Sequence, residues 1–298
     1  MQIRVIGVPM DLGADRRGVD IGVSAIRYAG LHEKLRALGH SVKDIGNLHV
    51  PLPENQPAGD PHVKYLEPIV QVAEELAAAV NQALQEGDLP LVLGGDHSIA
   101  LGSITGVSSF YDGDVGVIWI DAHGDFNTPE TTPSGNIHGM VLAALAGLGH
   151  ERLVHLAGRT PKVNPQHIAI VGVRDLDPGE RELLRANRIH VFTMTDIDRR
   201  GISAIMEEAI EVAGHNGRRI HLSLDLDALD PSEAPGVGTP VRGGLSYREA
   251  HLSMELLAAC GQLCSMDVVE VNPILDRENA TASLAVGLVL SALGKTIL

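Results

Sequence analysis

The sequence of 298 residues has few cysteines and a shortage of positive charge. Its two cysteines, Cys260 and Cys264, are too few for a disulfide framework and lack the paired spacing of a zinc ribbon. Their spacing of four residues predicts that they share a helix. A chain of this length can bury a large core without disulfides or structural zinc. Because the sequence shows no disulfide framework, we expect a reducing, cytoplasmic location. Because 38 acidic residues stand against 23 basic ones, the net charge of −15 predicts no nucleic-acid partner.

Long hydrophobic runs are also missing from the sequence. The longest, near residues 284–293, is too short to span a bilayer, so we expect no membrane partner. Strand-like residues begin almost at Met1, which predicts that no secretory signal is present. We find no internal repeat, low-complexity tract or interdomain linker, and we therefore expect residues 1–298 to form a single domain.

Short apolar runs alternate with helical patterns along the chain. The runs predict eight strands, at residues 3–8, 41–45, 89–93, 115–120, 167–171, 190–192, 220–224 and 265–269. Several are apolar nearly throughout, as expected for strands that are covered on both faces of a parallel sheet. The alternation predicts an α/β fold with a mainly parallel sheet, in which functional groups collect at the carboxyl ends of strands.

Three helices are well marked in the sequence. Residues 68–87 carry apolar side chains at helical spacing, and Ser246 with Glu249 forms a capping-box pattern before another helix. Residues 26–38 predict a third helix, ended by Gly39.

Four of the predicted strands end in residue types that bind metals. The segments are Gly94-Gly95-Asp96-His97-Ser98, Asp121-Ala122-His123-Gly124-Asp125, Asp225-Leu226-Asp227 and Glu270-Val271-Asn272-Pro273. In an extended segment residues i, i+2 and i+4 point the same way, so Asp121, His123 and Asp125 should converge. A turn or helix cap would explain any one segment alone. Their coincidence favours a metal site, because clustered buried carboxylates need cations to neutralise them.

The ligand types indicate which metals such a site would hold. Two histidines and four carboxylates are too many ligands for one tetrahedral zinc, whereas calcium and magnesium rarely take imidazole. The mixture suits manganese, with iron, cobalt or zinc as substitutes. Bridging carboxylates would hold two ions about 3.5–4 Å apart and generate hydroxide near neutral pH. The residues thus predict a dinuclear metallohydrolase without naming the bond that is cleaved.

The first three strand-end segments resemble the signatures of the ureohydrolase family, which includes arginases, agmatinases and formiminoglutamases. The resemblance runs from Gly7-Val8-Pro9-Met10 to the Glu270 segment, nearly the whole chain. Within the family, the loop at residues 127–140 and the segment at residues 172–180 resemble those of bacterial arginases. The resemblance implies a three-layer α/β/α sandwich around an eight-stranded, mainly parallel sheet.

The resemblance also implies two Mn²⁺ ions per subunit. One ion would be held by His97, Asp121, Asp125 and Asp225, and the other by His123, Asp121, Asp225 and Asp227. A bridging hydroxide would attack the guanidinium of L-arginine, giving L-ornithine and urea. The resemblance further implies a homo-oligomer, a trimer or a hexamer, with the hexamer favoured.

The resemblance to arginases also implies roles for residues that do not bind the metal ions and a second role for Asp125. Glu270 would orient the guanidinium with support from Thr239, while His138 and Asp125 would transfer protons. Four residues would bind the amino-acid end of the substrate: Asn127 and Ser134 at the α-carboxylate, Asp177 at the α-amino group, and Glu180 at the α-amino group through water.

Three alternatives stay open at this point. An agmatinase-like enzyme would share the metals but lack groups for the α-carboxylate, so Asn127 and Ser134 discriminate. A dinuclear metallophosphoesterase would need a basic phosphate-binding surface, which the net charge disfavours. An inactive family member would usually have lost metal ligands, and all six are present.

The sequence departs from the family pattern at Val23, Val141 and Ala228. Ala228 is the one that could matter, because a Cβ beside the metals would shift a ligand if its φ were positive.

Overall fold

The protein is described by a computed structural model that covers residues 1–296. In these residues eight strands form one sheet in which every pairing is parallel. The strands are β1 (Gln2–Val8), β2 (Ser41–Asn47), β3 (Leu89–Gly94), β4 (Val115–Ile120), β5 (Ile168–Val173), β6 (His190–Thr193), β7 (Arg219–Asp225) and β8 (Leu263–Val269). All eight predicted strands are confirmed, and the sheet is wholly rather than mainly parallel.

Helices cover both faces of this sheet, which confirms the three-layer α/β/α sandwich. On one face lie α1 (Gly22–Tyr28), α2 (Leu31–Ala37), α8 (Met194–Arg200), α9 (Ile202–Gly214), α10 (Tyr247–Cys260) and α11 (Ala280–Ala292). On the other lie α3 (Leu66–Gln85), α4 (Ala100–Phe110), α5 (Val141–Leu145), α6 (Glu151–Val154) and α7 (Pro178–Ala186). Because strand side chains alternate, Leu91 and Leu93 face the first layer while Val92 faces the second.

Two predictions about local structure need correction. Residues 26–38 form two helices rather than one, because Gly30 adopts a left-handed backbone (φ 83°) and begins α2 afresh. Cys264, expected on a helix with Cys260, lies in β8 and is buried. The capping box of α10 is confirmed: the Ser246 N–H donates to Glu249 Oε2 at 2.8 Å. Within residues 1–296, no helix combines the length and apolarity needed to cross a membrane.

The strand order explains where a site can form. Across the sheet the strands run β2-β1-β3-β8-β7-β4-β5-β6, so the four strands with metal-type residues at their carboxyl ends are consecutive neighbours. Strands in a sheet lie about 4.8 Å apart, which brings four ends within reach of one small ligand. The last strand, β8, lies between β3 and β7 and separates the early strands from the rest of the sheet.

Candidate metal centre

The first part of the centre surrounds one nitrogen of His97. This side chain follows β3, is fully buried, and stacks on Trp119 with ring centroids 3.9 Å apart. Its Nδ1 makes no hydrogen bond, yet it lies 3.1 Å from one carboxylate oxygen each of Asp121, Asp125 and Asp225. A buried imidazole nitrogen among three carboxylates is the donor set of a cation site, so the residues fit a metal ion.

The second part of the centre lies beside the first and shares a carboxylate with it. His123 Nδ1 is 3.1 Å from Asp227 Oδ2 and 3.3 Å from Asp121 Oδ1. Because the other oxygen of Asp121 faces His97, this carboxylate can bridge two ions. Among residues 1–296, these two parts are the groups whose ligand atoms converge closely enough to hold a metal. The structure therefore brings together all six predicted ligands.

Electrostatics in the centre favour a cation. Burial lowers the pKa values of His97 and His123, but the surrounding carboxylates outweigh it, so both pKa values lie above the ordinary range. Burial, together with the charge of Asp121, raises the pKa of Asp125 to about 6. Ligands must be deprotonated to bind a metal, so an incoming ion would displace protons from this cluster.

A buried polar chain holds His97 from behind. Its Nε2 lies 2.7 Å from Ser223 Oγ, and Ser223 donates to Asp267 Oδ1 at 2.5 Å. Such partners fix the orientation of a ligand imidazole. The sequence prediction missed this role, although a serine and an aspartate inside apolar strands were a visible signal. Asp96, which precedes His97 in the chain, accepts N–H groups from Gly13 and Ser98.

Glu270 and His138 lie next to the centre. Glu270 follows β8, is 2% exposed, and uses Oε1 to accept the N–H of His97 at 2.9 Å. His138 Nδ1 lies 3.2 Å from the same oxygen. Burial lowers the pKa of His138, but the hydrogen bond to Glu270 and nearby carboxylates raise it to about 9. Oε2 of Glu270 faces Gly238, 3.5 Å from where a Cβ would stand.

The residues predicted to bind an amino acid form a separate group at the mouth of the cavity. Asn127 Nδ2 donates to Asp177 Oδ2 at 3.0 Å, and Ser134 lies exposed on the loop opposite. Asp177 precedes α7, and Glu180 in its first turn accepts the N–H of Phe126 at 2.9 Å. Burial raises the pKa of Glu180 to about 8.

One narrow cavity of about 150 Å³ connects the two groups. Predicted and unpredicted residues line it together: His123, Asp125, Asn127, Thr132, Pro133, Ser134, His138, Gly139, Asp175, Asp177, Glu180, Asp225, Asp227 and Thr239. The Thr239 hydroxyl donates to Asp227 Oδ2 at 2.8 Å, so its contact is with a metal-ligand candidate rather than with Glu270. Asp175 was missed, although it lies two residues after the end of β5, and other site residues also lie close to strand ends.

The three departures from the family pattern leave the centre intact. Val23, Val141 and Ala228 are fully buried in the core. Ala228 has no positive φ, so its Cβ causes no strain beside Asp227. The residues that do adopt positive φ at the site are Asp125 (47°) and Glu270 (64°).

With this geometry established, comparison with known proteins identifies the family. The sequence profile of the Arginase family matches residues 1–294. Arginase from Brevibacillus brevis is 55% identical over 294 residues, which cover 99% of this chain and 98% of that protein. The chain belongs to the arginase family.

Two solved structures of the arginase family share its architecture. Arginase from Bacillus caldovelox matches with a TM-score of 0.96 at 52% identity, covering 100% of this chain and 99% of that one. Entamoeba histolytica arginase in complex with L-ornithine matches with a TM-score of 0.91 at 33% identity, covering 99% of each chain. The predicted resemblance to arginases is thereby confirmed.

Proposed function

We propose that this protein is a manganese-dependent hydrolase that cleaves the guanidinium group of L-arginine to L-ornithine and urea. The observation that supports it most is a centre of two histidines and four aspartates on a narrow cavity that also carries polar groups suited to an amino acid. Solved relatives include an arginase bound to L-ornithine. Carboxylates with some imidazole favour Mn²⁺ over zinc or magnesium.

The proposed ligands are divided between two ions. His97, Asp121, Asp125 and Asp225 would hold one, and His123, Asp121, Asp225 and Asp227 the other. When bound, the pair would lower the pKa of water between them and so supply a nucleophile near neutral pH.

The chain's own residues would hold and orient the substrate. A guanidinium carbon is a poor electrophile, so it must be held close to its nucleophile. Glu270 presents a buried carboxylate that would pair with the guanidinium through charge-assisted hydrogen bonds. Asp125 would accept a proton at a carboxylate oxygen and pass it to the leaving amine, and His138 would exchange protons with solvent.

The other end of the cavity would select an amino acid. Asn127 and Ser134 would donate to the α-carboxylate, Asp177 would accept from the α-amino group, and Glu180 would reach that group through water. Agmatine lacks the α-carboxylate, so these contacts would favour arginine over agmatine.

Three further expectations accompany the proposal. We expect residues 1–298 to act as one catalytic domain, in line with the family match over residues 1–294. We also expect a cytoplasmic homo-oligomer, a hexamer rather than a trimer, which light scattering of the purified protein would test.

The proposed activity is tested by measuring urea release. Purified chain, stripped with a chelator and then reloaded with Mn²⁺, is assayed with L-arginine and with agmatine. We expect a strong preference for arginine, loss of activity on stripping, and recovery with Mn²⁺. A preference for agmatine would contradict the roles of Asn127 and Ser134, and no urea from either substrate would contradict the proposal itself.

A variant isolates the carboxylate contact. Ser134→Ala should raise KM for arginine and leave KM for agmatine unchanged, because only arginine has the group that Ser134 would bind. Ser232→Ala is the matched control, since Ser232 is also exposed but bonds only to Asp230.

A further inference from the structure

Arg174 has an unusual set of contacts beside the centre. It directly follows β5, and its guanidinium makes six contacts of 2.7–3.2 Å. Every acceptor is a backbone carbonyl, contributed by Gly172, Asp227, Ala228, Leu229 and Val241. A guanidinium has five N–H donors in a rigid planar fork. Arg174 therefore has no donor left for a substrate or a partner carboxylate.

The carbonyls belong to segments that carry site residues. Asp227 is the metal-ligand candidate that faces His123, and Val241 lies two residues after Thr239. Thr239 in turn donates to Asp227 Oδ2 at 2.8 Å. The guanidinium of Arg174 thus ties the backbone of Asp227 to the backbone of Val241, two residues after Thr239.

The contacts are distributed unevenly over the two parts of the centre. The guanidinium bonds to the main chain of Asp227, which belongs to the part formed with His123. None of its five acceptor carbonyls belongs to His97 or Asp125, the residues specific to the other part. Removal of this side chain should therefore loosen one metal position and spare the other.

We propose that Arg174 is a positioning residue that holds Asp227, and with it the metal position of His123 and Asp227, through its hydrogen bonds to the main chain. The inference rests on the proposed function, since it requires that these side chains bind a metal ion. Arg174 does not touch the substrate. Its role is to keep the Asp227 carboxylate at the distance from His123 that a shared ion needs.

Mn²⁺ binding to the full-length, chelator-stripped protein tests this role. Titration with MnCl₂ by calorimetry, with electron paramagnetic resonance in parallel, should show two ions bound by the wild type and a signal from a coupled pair. Arg174→Lys should bind the first ion with unchanged affinity and the second about 10–100-fold more weakly, with loss of the coupled signal. An ammonium keeps the charge but offers three donors instead of five.

Arg174→Met separates charge from geometry. If Arg174→Lys binds both ions as the wild type does while Arg174→Met does not, charge alone matters and the positioning role is wrong. The role is equally wrong if neither variant changes the second affinity, or if circular dichroism shows that both metal-free variants are unfolded. A wild type that does not bind two Mn²⁺ ions contradicts the proposed function instead.

Arg218→Lys is the matched control. Arg218 is a largely buried arginine that also donates to a backbone carbonyl, that of Ala213, but it precedes β7 and so lies at the far end of the strand from Asp225. The Arg218→Lys variant should bind both Mn²⁺ ions with the affinities of the wild type. A weaker second ion in this variant would show that the effect of Arg174→Lys is not specific to the centre.

Discussion

Among single residues, Glu270 has a backbone conformation that glutamate rarely adopts. Its φ of 64° lies in the left-handed region, which costs a residue with a side chain about 1–2 kcal/mol. Two contacts hold it there: its N–H donates to Gly95 O at 2.8 Å, and its Oε1 accepts the N–H of His97. Strain of this kind concentrates at functional positions, where the surrounding structure compensates for it.

Replacement of this charge tests its role. Glu270→Gln should reduce kcat/KM for arginine about 10–100-fold or more, because a neutral amide cannot form the charge-assisted pair with a guanidinium. Both Mn²⁺ ions should remain bound, since Glu270 is not among the proposed ligands, and metal analysis checks this. Glu278→Gln is the control, because Glu278 also has a positive φ (51°) but is exposed. Retention of most activity by Glu270→Gln would rule out the proposed role.

Lys162 predicts a pH dependence of stability away from the site. Its side chain is buried, with Nζ donating to the carbonyls of Val154 and Arg159, and burial lowers its pKa to about 8. Between pH 8 and the ordinary lysine value of about 10.4 the unfolded chain binds a proton that the folded chain has lost. The free energy of unfolding should therefore rise with pH in this window, relative to that of Lys162→Met.

Chemical denaturation of both proteins from pH 7 to pH 10.5 measures this difference. Lys34→Met is the control: Lys34 also donates to a backbone carbonyl, that of Ala29, but is exposed. The difference between wild type and Lys34→Met should not change over this range. A difference between wild type and Lys162→Met that is independent of pH would contradict the lowered pKa.

At the scale of elements, α3 and α4 pack closely because α4 presents two glycines one turn apart. A Cβ on Gly102 would stand 2.7 Å from Ala73 O, and one on Gly106 would stand 2.6 Å from Ala77 O. Backbone atoms of α3 fill the space that larger side chains would need. A larger side chain at either glycine can therefore be accommodated only if the whole of α3 and α4 move apart, since close-packed interiors offer few voids.

Gly106→Ala should therefore destabilise the protein by about 1–3 kcal/mol in spite of the better helix propensity of alanine. Gly287→Ala in α11 is the matched control, since its Cβ would come no closer than 3.4 Å to any neighbour. That variant should gain up to about 1 kcal/mol from propensity. Urea denaturation compares the two, and equal effects would show that helix contact at Gly106 is not the cause.

The strands were predictable at this scale because both faces of a parallel sheet are apolar, which leaves a strong local signal. The break between α1 and α2 was not predictable from the sequence. Nothing in the hydrophobic spacing of residues 26–38 reveals that Gly30 turns left-handed, because the apolar positions of α1 and α2 continue one another in register. Cys264 was placed on a helix for the same reason, since a spacing of four residues is compatible with a helix that ends at Cys260.

For the whole molecule, the metal centre predicts a coupling between metal binding and stability. Bound ions would neutralise carboxylates that otherwise repel one another, and each ion at 100 times its Kd adds about 2.7 kcal/mol. Mn²⁺ should therefore raise the Tm of chelator-stripped protein by about 5–10 °C. Mg²⁺ at the same concentration is the control, because it rarely takes imidazole ligands. An unchanged Tm with Mn²⁺ would contradict the dinuclear site.

The six ligand candidates were predictable because they lie at or within five residues of the carboxyl ends of strands, so a local pattern and one rule about strand ends suffice. Residues that act through contacts with main-chain atoms were not predictable in this way. Arg174 makes five of its six contacts with main-chain carbonyls more than 50 residues away, and no side-chain pattern encodes such contacts. Thr239 was placed near Glu270 by resemblance, whereas its hydroxyl contacts Asp227.

The position of β8 has a consequence for synthesis of the chain. Residues 263–269 leave the ribosome after the other seven strands of the sheet, yet they separate β3 from β7 in the finished sheet. Until they emerge, the nascent chain can form only two half-sheets, each with an open edge of unpaired N–H and C=O groups. Such edges pair readily with other chains, so the unfinished protein is most prone to aggregate just before β8 emerges. A stop codon between residues 225 and 263 would leave two unjoined halves of the sheet rather than a shorter enzyme.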